Sequence, residues 1–176
     1  LLDSLVDSRS EECADQLLRD LVFLCRVCIA DPRVRVVSVK ATKKATAEQQ
    51  QQEEGAEPEP YSSLLMVVSR AAAAVPELAV PLRCCVYKLF AAVATLVPAG
   101  GALAAGLLPA VLEPLYCSVN DIAHESAAQR RQRQRWHRDA GPRVVRTDAD
   151  ERALAEEVLG VLKQAAGERA YLDAYN

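Results

Sequence analysis

Apolar residues recur along this chain at helical rather than strand spacing. Between Glu11 and Ala30, Leu17, Leu21, Leu24, Cys25 and Cys28 stand at i, i+4, i+7, i+8 and i+11, one face of a 3.6-residue period. Leu18, Val22 and Ile29 add a second apolar edge, so this helix is expected to be covered on two sides. Asp31-Pro32 stops it, because a residue before proline is pushed out of the helical region. A shorter helix is expected in "RVRVVSVKATKK". The next helix has Ser62 or Ser63 as its cap and Leu64, Val67, Val68, Ala71 and Val75 as its inward face, and it ends at Pro76.

Pro81 sits where a first-turn proline is tolerated, and it opens the clearest amphipathic stretch: Leu82, Cys85, Val86, Leu89, Phe90, Val93, Leu96 and Val97. "PAGG", Pro98 to Gly101, reads as a turn. In "ALAAGLLPAVLEPLYCSV" the first proline fits an early helical turn and the second bends the helix. Asp148, with Glu151 three residues on, resembles a capping box. It opens a helix whose stripe is Leu154, Val158, Val161, Leu162 and Ala165 and whose left-handed stop is Gly167. A last short helix from Glu168 turns Ala170, Tyr171 and Ala174 inward.

Composition supports the same reading. Of the 176 residues 51% are apolar but only 5% aromatic, so Ala, Val and Leu carry the apolar surface and helix formers dominate. The expected fold is all-α: a HEAT/armadillo-like helical-repeat solenoid fragment of antiparallel helix pairs, the paired unit advancing by about forty residues. The divisions are a helical repeat segment over 1–45, a disordered low-complexity insertion over 46–61 and helical repeats over 62–117. An arginine-rich insertion loop follows over 118–147, then a terminal helical repeat segment over 148–176. The insertion "TAEQQQQEEGAEPEP" lacks the apolar periodicity that would offset the entropy of ordering it.

The chain begins Leu1-Leu2 without an initiator Met and stops at Asn176 within patterned helical sequence, so it is expected to be a piece of a longer protein. Prolines break every apolar run short of the roughly 18 residues a membrane span needs, and no leader is present, so a soluble chain is expected. The six cysteines suit a reducing compartment, cytosol or nucleus.

Catalytic patterns are wanting. Cys25-x-x-Cys28 lies in a helical apolar run with no second such pair, where two cysteines simply share a buried face. "GGALAAG" lacks the Lys-Ser/Thr of a phosphate loop, and no serine stands in a G-x-S-x-G elbow. His124, beside Asp121 and Glu125, reads as an exposed loop residue rather than a base. The acidic pairs Glu11-Glu12, Glu53-Glu54 and Glu156-Glu157 read as solvated surface. No catalytic, cofactor or metal site is expected, and no small-molecule substrate.

One local charge stands out in a chain of formal net charge −3. Between Ser118 and Thr147 there are seven arginines against three acidic residues, Asp121, Glu125 and Asp139. Arginine forks suit phosphate, and Trp136 can stack on a base. Arg130, Arg131, Arg133, Arg135, Trp136 and Arg138 are therefore the candidate RNA contacts, against the plainer reading of a solvated, flexible insertion.

Three segments resemble a known family. "PLRCCVYKLFAAVA" (Pro81 to Ala94, with Arg83, Cys85 and Lys88), "LPAVLEPLY" (Leu108 to Tyr116) and "ALAEEVLGVLKQAAGERAYLDAYN" (Ala153 to Asn176) are similar to the C-terminal region of the U3 small nucleolar RNA-associated protein 20 family. That family is the very large HEAT-repeat component of the small-subunit processome. "SLLMVVSR" and "LLRDLVFLCRV" resemble it more loosely, and together the segments cover about half the chain in the family's order. The resemblance implies a non-catalytic scaffold in the nucleus and nucleolus, serving pre-18S ribosomal RNA processing in the 90S pre-ribosome. It also implies partners among processome proteins, pre-rRNA and the U3 small nucleolar RNA particle, with no membrane. Departures are Cys117-Ser118, where the family tends to have Arg-Glu, and the arginine-rich insertion, where it has a short connection. The family's basic tail would lie beyond Asn176. The alternative reading is a HEAT-like protein–protein adaptor in nuclear transport or chromatin organisation.

Overall fold

The computed structural model describes residues 11–31, 33, 61–98, 102–136 and 143–175, and among these every regular element is a helix. In chain order these are α1 (Glu11–Ala30), α2 (Ser62–Ala74), α3 (Val80–Leu96), α4 (Ala102–Val119), α5 (Ala127–Trp136), α6 (Ala149–Ala166) and α7 (Glu168–Tyr175). A 3-10 turn, Val75–Glu77, joins α2 to the approach of α3. The one strand-type pairing among the described residues is an isolated antiparallel bridge between Ile122 and Val144. The chain is all-α, as its apolar spacing predicts. None of the described helices is long and apolar enough to cross a membrane.

Most helices begin and end where local chemistry directs. α1 has the bounds predicted for it, and Asp31 N–H still reaches Val27 O at 3.0 Å before Pro32 forbids another turn. Leu21, Cys25 and Cys28 are buried, with Leu17, Leu18, Val22, Leu24 and Ile29 packed at the edges. The far side is open, with Phe23 68% exposed, so coverage on two sides extends only to those edges. α2 starts at Ser62, but neither serine caps it; Tyr61 holds the cap position at φ 65° without a side-chain hydrogen bond. All five residues of its expected inward face are buried. Pro81 lies in the first turn of α3, where the missing N–H has no intrahelical acceptor to lose.

α4 carries both Pro109 and Pro114 in its interior, so Pro109 does not occupy an early turn as the sequence pattern had it. Asp148 caps α6 by accepting from Asp150 N–H at 3.0 Å and Glu151 N–H at 3.3 Å. Gly167, at φ 85°, closes α6 in a conformation that a residue with a Cβ adopts only under strain.

Helices of alternate rank lie side by side. α1 packs on α3 and α3 on α6; α2 packs on α4 and α4 on α7. The two rows meet most extensively where α4 lies on α6. The core between them is built from Leu21, Leu64, Phe90, Leu89, Leu108 and Leu115, each at most 1% exposed. α5 belongs to neither row.

The segment 118–147, read as an insertion loop, therefore holds a helix. "SAAQ" explains it: Gln129 Oε1 accepts Ser126 N–H at 2.8 Å, and Ser126 Oγ accepts Gln129 N–H at 3.3 Å. That reciprocal capping box opens a run of arginine and glutamine, both good helix formers. The expected helix over 33–44 lies outside the described residues apart from Arg33. So does the low-complexity stretch over 46–61 apart from Tyr61, and the turn over 98–101 apart from Pro98.

Candidate functional site

The predicted arginines are gathered on one element. Arg130 and Arg131 lie in the first turns of α5, and Arg133, Arg135 and Trp136 continue the same helix. The side chains of the last three, and Arg138 entirely, lie outside the described residues. Arg130 forms an ion pair with Glu113 of α4. Arg131 is exposed.

The base of the insertion is clamped. Ala123 N–H donates to Arg143 O at 2.8 Å and Val145 N–H to Asp121 O at 2.7 Å, the hydrogen bonds of the lone bridge. Asp121 adopts φ 57°, a left-handed conformation that aspartate tolerates better than most residues. Its carboxylate accepts Thr147 N–H at 2.9 Å and pairs with Arg152. Thr147 N–H and the Arg152 guanidinium hold that carboxyl below its ordinary value. The insertion thus leaves and re-enters the fold through one narrow neck.

Directly beneath the neck lies a polar cluster that the apolar pattern conceals. Glu151, in the first turn of α6, is fully buried. Its carboxylate does not turn back to complete the expected capping box; it points inward to Arg83 of α3. Arg83 Nε donates to Oε1 at 2.9 Å and Nη2 to Oε2 at 2.8 Å, a two-pronged fork, while Nη1 donates to Leu78 O at 2.9 Å. Ser118 Oγ, at the end of α4, donates to Oε1 at 2.8 Å. With its single hydrogen so placed, Ser118 accepts from its other neighbours: Tyr87 O–H at 2.8 Å and His124 Nε2–H at 3.0 Å. Tyr87 shares that one hydrogen with Pro114 O, at 3.2 Å. Three helices and the neck share one network, and every member satisfies another. His124, expected as an exposed loop residue, is instead 9% exposed, with Nε2 3.5 Å from Glu151 Oε1.

Burial alone would raise the Glu151 carboxyl, but hydrogen bonds from His124, Arg83 and Ser118 together with the Arg83 charge outweigh it and hold the group at about 2, against an ordinary 4.5. Burial likewise works against the Arg83 charge, and the hydrogen bond and charge of Glu151 more than restore it, so its value is raised. A carboxylate depressed on folding stabilises the fold above its unfolded value and loses that contribution as pH falls toward its folded value. The shift corresponds to about 3 kcal/mol, present above roughly pH 5 and withdrawn between there and pH 2. In urea titrations followed by circular dichroism, wild-type protein is expected to lose about 2 kcal/mol more stability from pH 5 to pH 2.5 than Glu151→Gln does. Equal losses would show that Glu151 is not the responsible group.

Ser118, His124 and Glu151 are three residue types of a nucleophilic relay, but not its geometry. A relay needs the serine and the carboxylate on opposite imidazole nitrogens. Here both approach Nε2, and the buried Ser118 gives its hydrogen straight to the carboxylate. The cluster is built to hold elements together. Among the described residues no three His, Cys, Asp or Glu side chains converge as metal ligands. Cys25 and Cys28 are core residues, and burial pushes the Cys25 thiol up to about 12, with Cys28 adding to it.

Two open clefts flank His124. One, about 550 Å³, runs along the neck between α3 and the start of α6, lined by Val80, Ile122 and Val145, by Arg83, His124 and Glu151, and by Arg146, Thr147 and Asp148. The other, about 540 Å³, lies between α2 and α4 under Arg130. Sequence reasoning missed Tyr87, Ser118 and the inward role of Glu151. For Glu151 a signal existed: it stands in helical register with the buried Ala155, Val158 and Leu162. Neither protein-family models, curated proteins nor solved structures provide a match to this chain.

Proposed function

We propose that this chain is a segment of a non-catalytic HEAT-like solenoid that serves as a scaffold of the small-subunit processome, supporting pre-18S rRNA processing in the nucleolus. The packing of alternate helices into two rows carries the reading. In a solenoid each helix pair covers the next, so like-ranked helices stack within one layer and consecutive ones fall in opposite layers. α1–α3–α6 and α2–α4–α7 have that order once α5 is set aside as an insertion. The outer face of α1, with Phe23 68% and Val27 36% exposed, is the kind of surface on which a further repeat stacks. The ordered resemblance of three helical segments to the U3 small nucleolar RNA-associated protein 20 family supplies the choice of assembly.

The test is affinity capture from nuclear extract with the chain as bait. Co-purification of small-subunit processome proteins with U3 RNA is expected. Recovery of transport receptors or chromatin complexes without them would overturn the assignment in favour of an adaptor.

A further inference from the structure

We propose that the cleft at the neck, with Arg146 in its lining, acts together with the exposed Arg131 and Arg143 of the same insertion to bind single-stranded RNA. The backbone would lie along Arg131, Arg143 and Arg146, with one splayed nucleotide seated between Val80, Ile122 and Val145. Charge comes first. From Ala127 to Arg146 the sequence has seven arginines and one acidic residue, Asp139. Of the nearby carboxylates, Asp121 is held by Arg152 and Thr147 N–H, Glu151 by Arg83 and Glu113 by Arg130, while Asp148 caps α6 through one oxygen. Arg131, Arg143 and Arg146 are exposed, and none has an acidic partner among the described residues.

A protein partner would need an apolar centre to its interface. This stretch offers a dense single sign of charge with few apolar residues, which suits a phosphate backbone and its release of counterions. The cleft supplies the second half. Its volume of about 550 Å³ exceeds that of a nucleotide, and its lining combines the apolar Val80, Ile122 and Val145, which suit the face of a base, with charged and polar groups. Asp148 caps α6 through Oδ1, leaving Oδ2 as an acceptor for a ribose 2′-hydroxyl, a contact that DNA cannot make.

Rooting is what makes the surface effective. The neck hydrogen bonds, His124 on Ser118 and the Arg130–Glu113 pair hold the arm before a ligand arrives, so less ordering entropy opposes binding. Arg130 thereby becomes an anchor of the arm rather than a contact, unlike its neighbour Arg131.

The experiment is a fluorescence-anisotropy titration of the whole chain with a labelled mixed-sequence 12-nucleotide RNA across a salt series. Parallel titrations use the matching DNA, the same RNA with abasic sites, and polyglutamate. RNA is expected to bind tightest, with the abasic strand weaker by about tenfold, in line with stacking contributions of ~1–3 kcal/mol per base. Replacing Arg131, Arg143 and Arg146 together by Ala should weaken binding at least tenfold and lower the log–log salt slope by about 2. Arg130→Ala should leave that slope unchanged. Equal binding of DNA, of the abasic strand or of polyglutamate would overturn the proposal, as would a triple variant that binds like wild type, provided its circular dichroism is native. Capture of processome proteins does not depend on this site, so the two proposals fail separately.

Discussion

Glu151→Ala is expected to lower the unfolding free energy by about 3–5 kcal/mol. The substitution removes the one acceptor that both prongs of Arg83 and the Ser118 hydroxyl share, in a position with no access to water. Breaking one side of a buried ion pair typically costs about 3–5 kcal/mol, because the surviving charge keeps its desolvation penalty and loses its compensation. Domains of this size are stable by only about 5–15 kcal/mol, so a loss at the upper end consumes much of the total. Two further groups are stranded as well. Ser118 is 0% exposed and must find another acceptor, and His124 loses its carboxylate neighbour at 3.5 Å.

Comparison variants separate charge from shape. Glu151→Gln keeps an oxygen for Ser118 but no charge for Arg83, so an intermediate loss is expected. Replacing Arg83 and Glu151 together by Met and Leu removes both charges at once and should recover much of the stability, since a matched apolar pair bears no stranded ion. Urea midpoints by circular dichroism rank the series. If Glu151→Ala unfolds within about 0.5 kcal/mol of wild type, the carboxylate is not buried as described.

Leu89→Asp should be as severe. Leu89 is 0% exposed in α3, the helix packed between α1 and α6, so a carboxylate there has neither water nor a partner. The group must stay protonated or pull the row apart, and either removes the cooperative melting transition. Leu162→Asp makes the same demand on α6, where Leu162 is 3% exposed. Lys88→Asp is the control: one position away, exposed, and expected to change stability by no more than about 0.5 kcal/mol. If both core variants keep wild-type helicity and melting, the helix faces are assigned wrongly.

Where burial follows apolar periodicity, the sequence was readable. α1 appears with the predicted bounds, and every residue of the expected inward faces of α2 and α3 is buried except Leu96, while Ser63, Ala72, Tyr87 and Ala94 are buried beyond them. α6 is turned slightly from its expected stripe: Ala155 and Ala166 are buried, while Leu154, Val161 and Ala165 are packed at the rim. A small side chain is nearly neutral in an amphipathic pattern, so the pattern follows the leucines even where alanines make the closest approach.

The polar cluster was hidden for a different reason. Glu151 lies three residues after Asp148, a spacing that sequence logic assigns to the helix terminus, and only the position of Arg83, 68 residues earlier, redirects it. Tyr87 stands off the α3 stripe because its ring is buried for its hydroxyl as well as its face. Helix α5 was missed by giving charge density more weight than capping chemistry; "SAAQ" at Ser126 carried the signal. Long-range pairing of polar groups has no period, which is why the site was less legible than the fold.

The same distinction bears on rigidity. Apolar rows can slide by a turn with modest loss, whereas a forked Arg–Glu pair with a serine on the same oxygen accepts one register. Because Arg83, Ser118, His124 and Glu151 come from α3, α4, the neck and α6, one interlocked cluster fixes both rows and the root of the arginine arm.

A double-mutant cycle on Arg83→Met and Glu151→Gln, read from urea unfolding at pH 7, tests that claim most directly. Strong coupling is expected, with the double variant more stable than the summed single losses predict by about 2–3 kcal/mol. Losses that add to within about 0.5 kcal/mol would mean that the two residues act independently, and that the cluster does not hold the rows and the arm together.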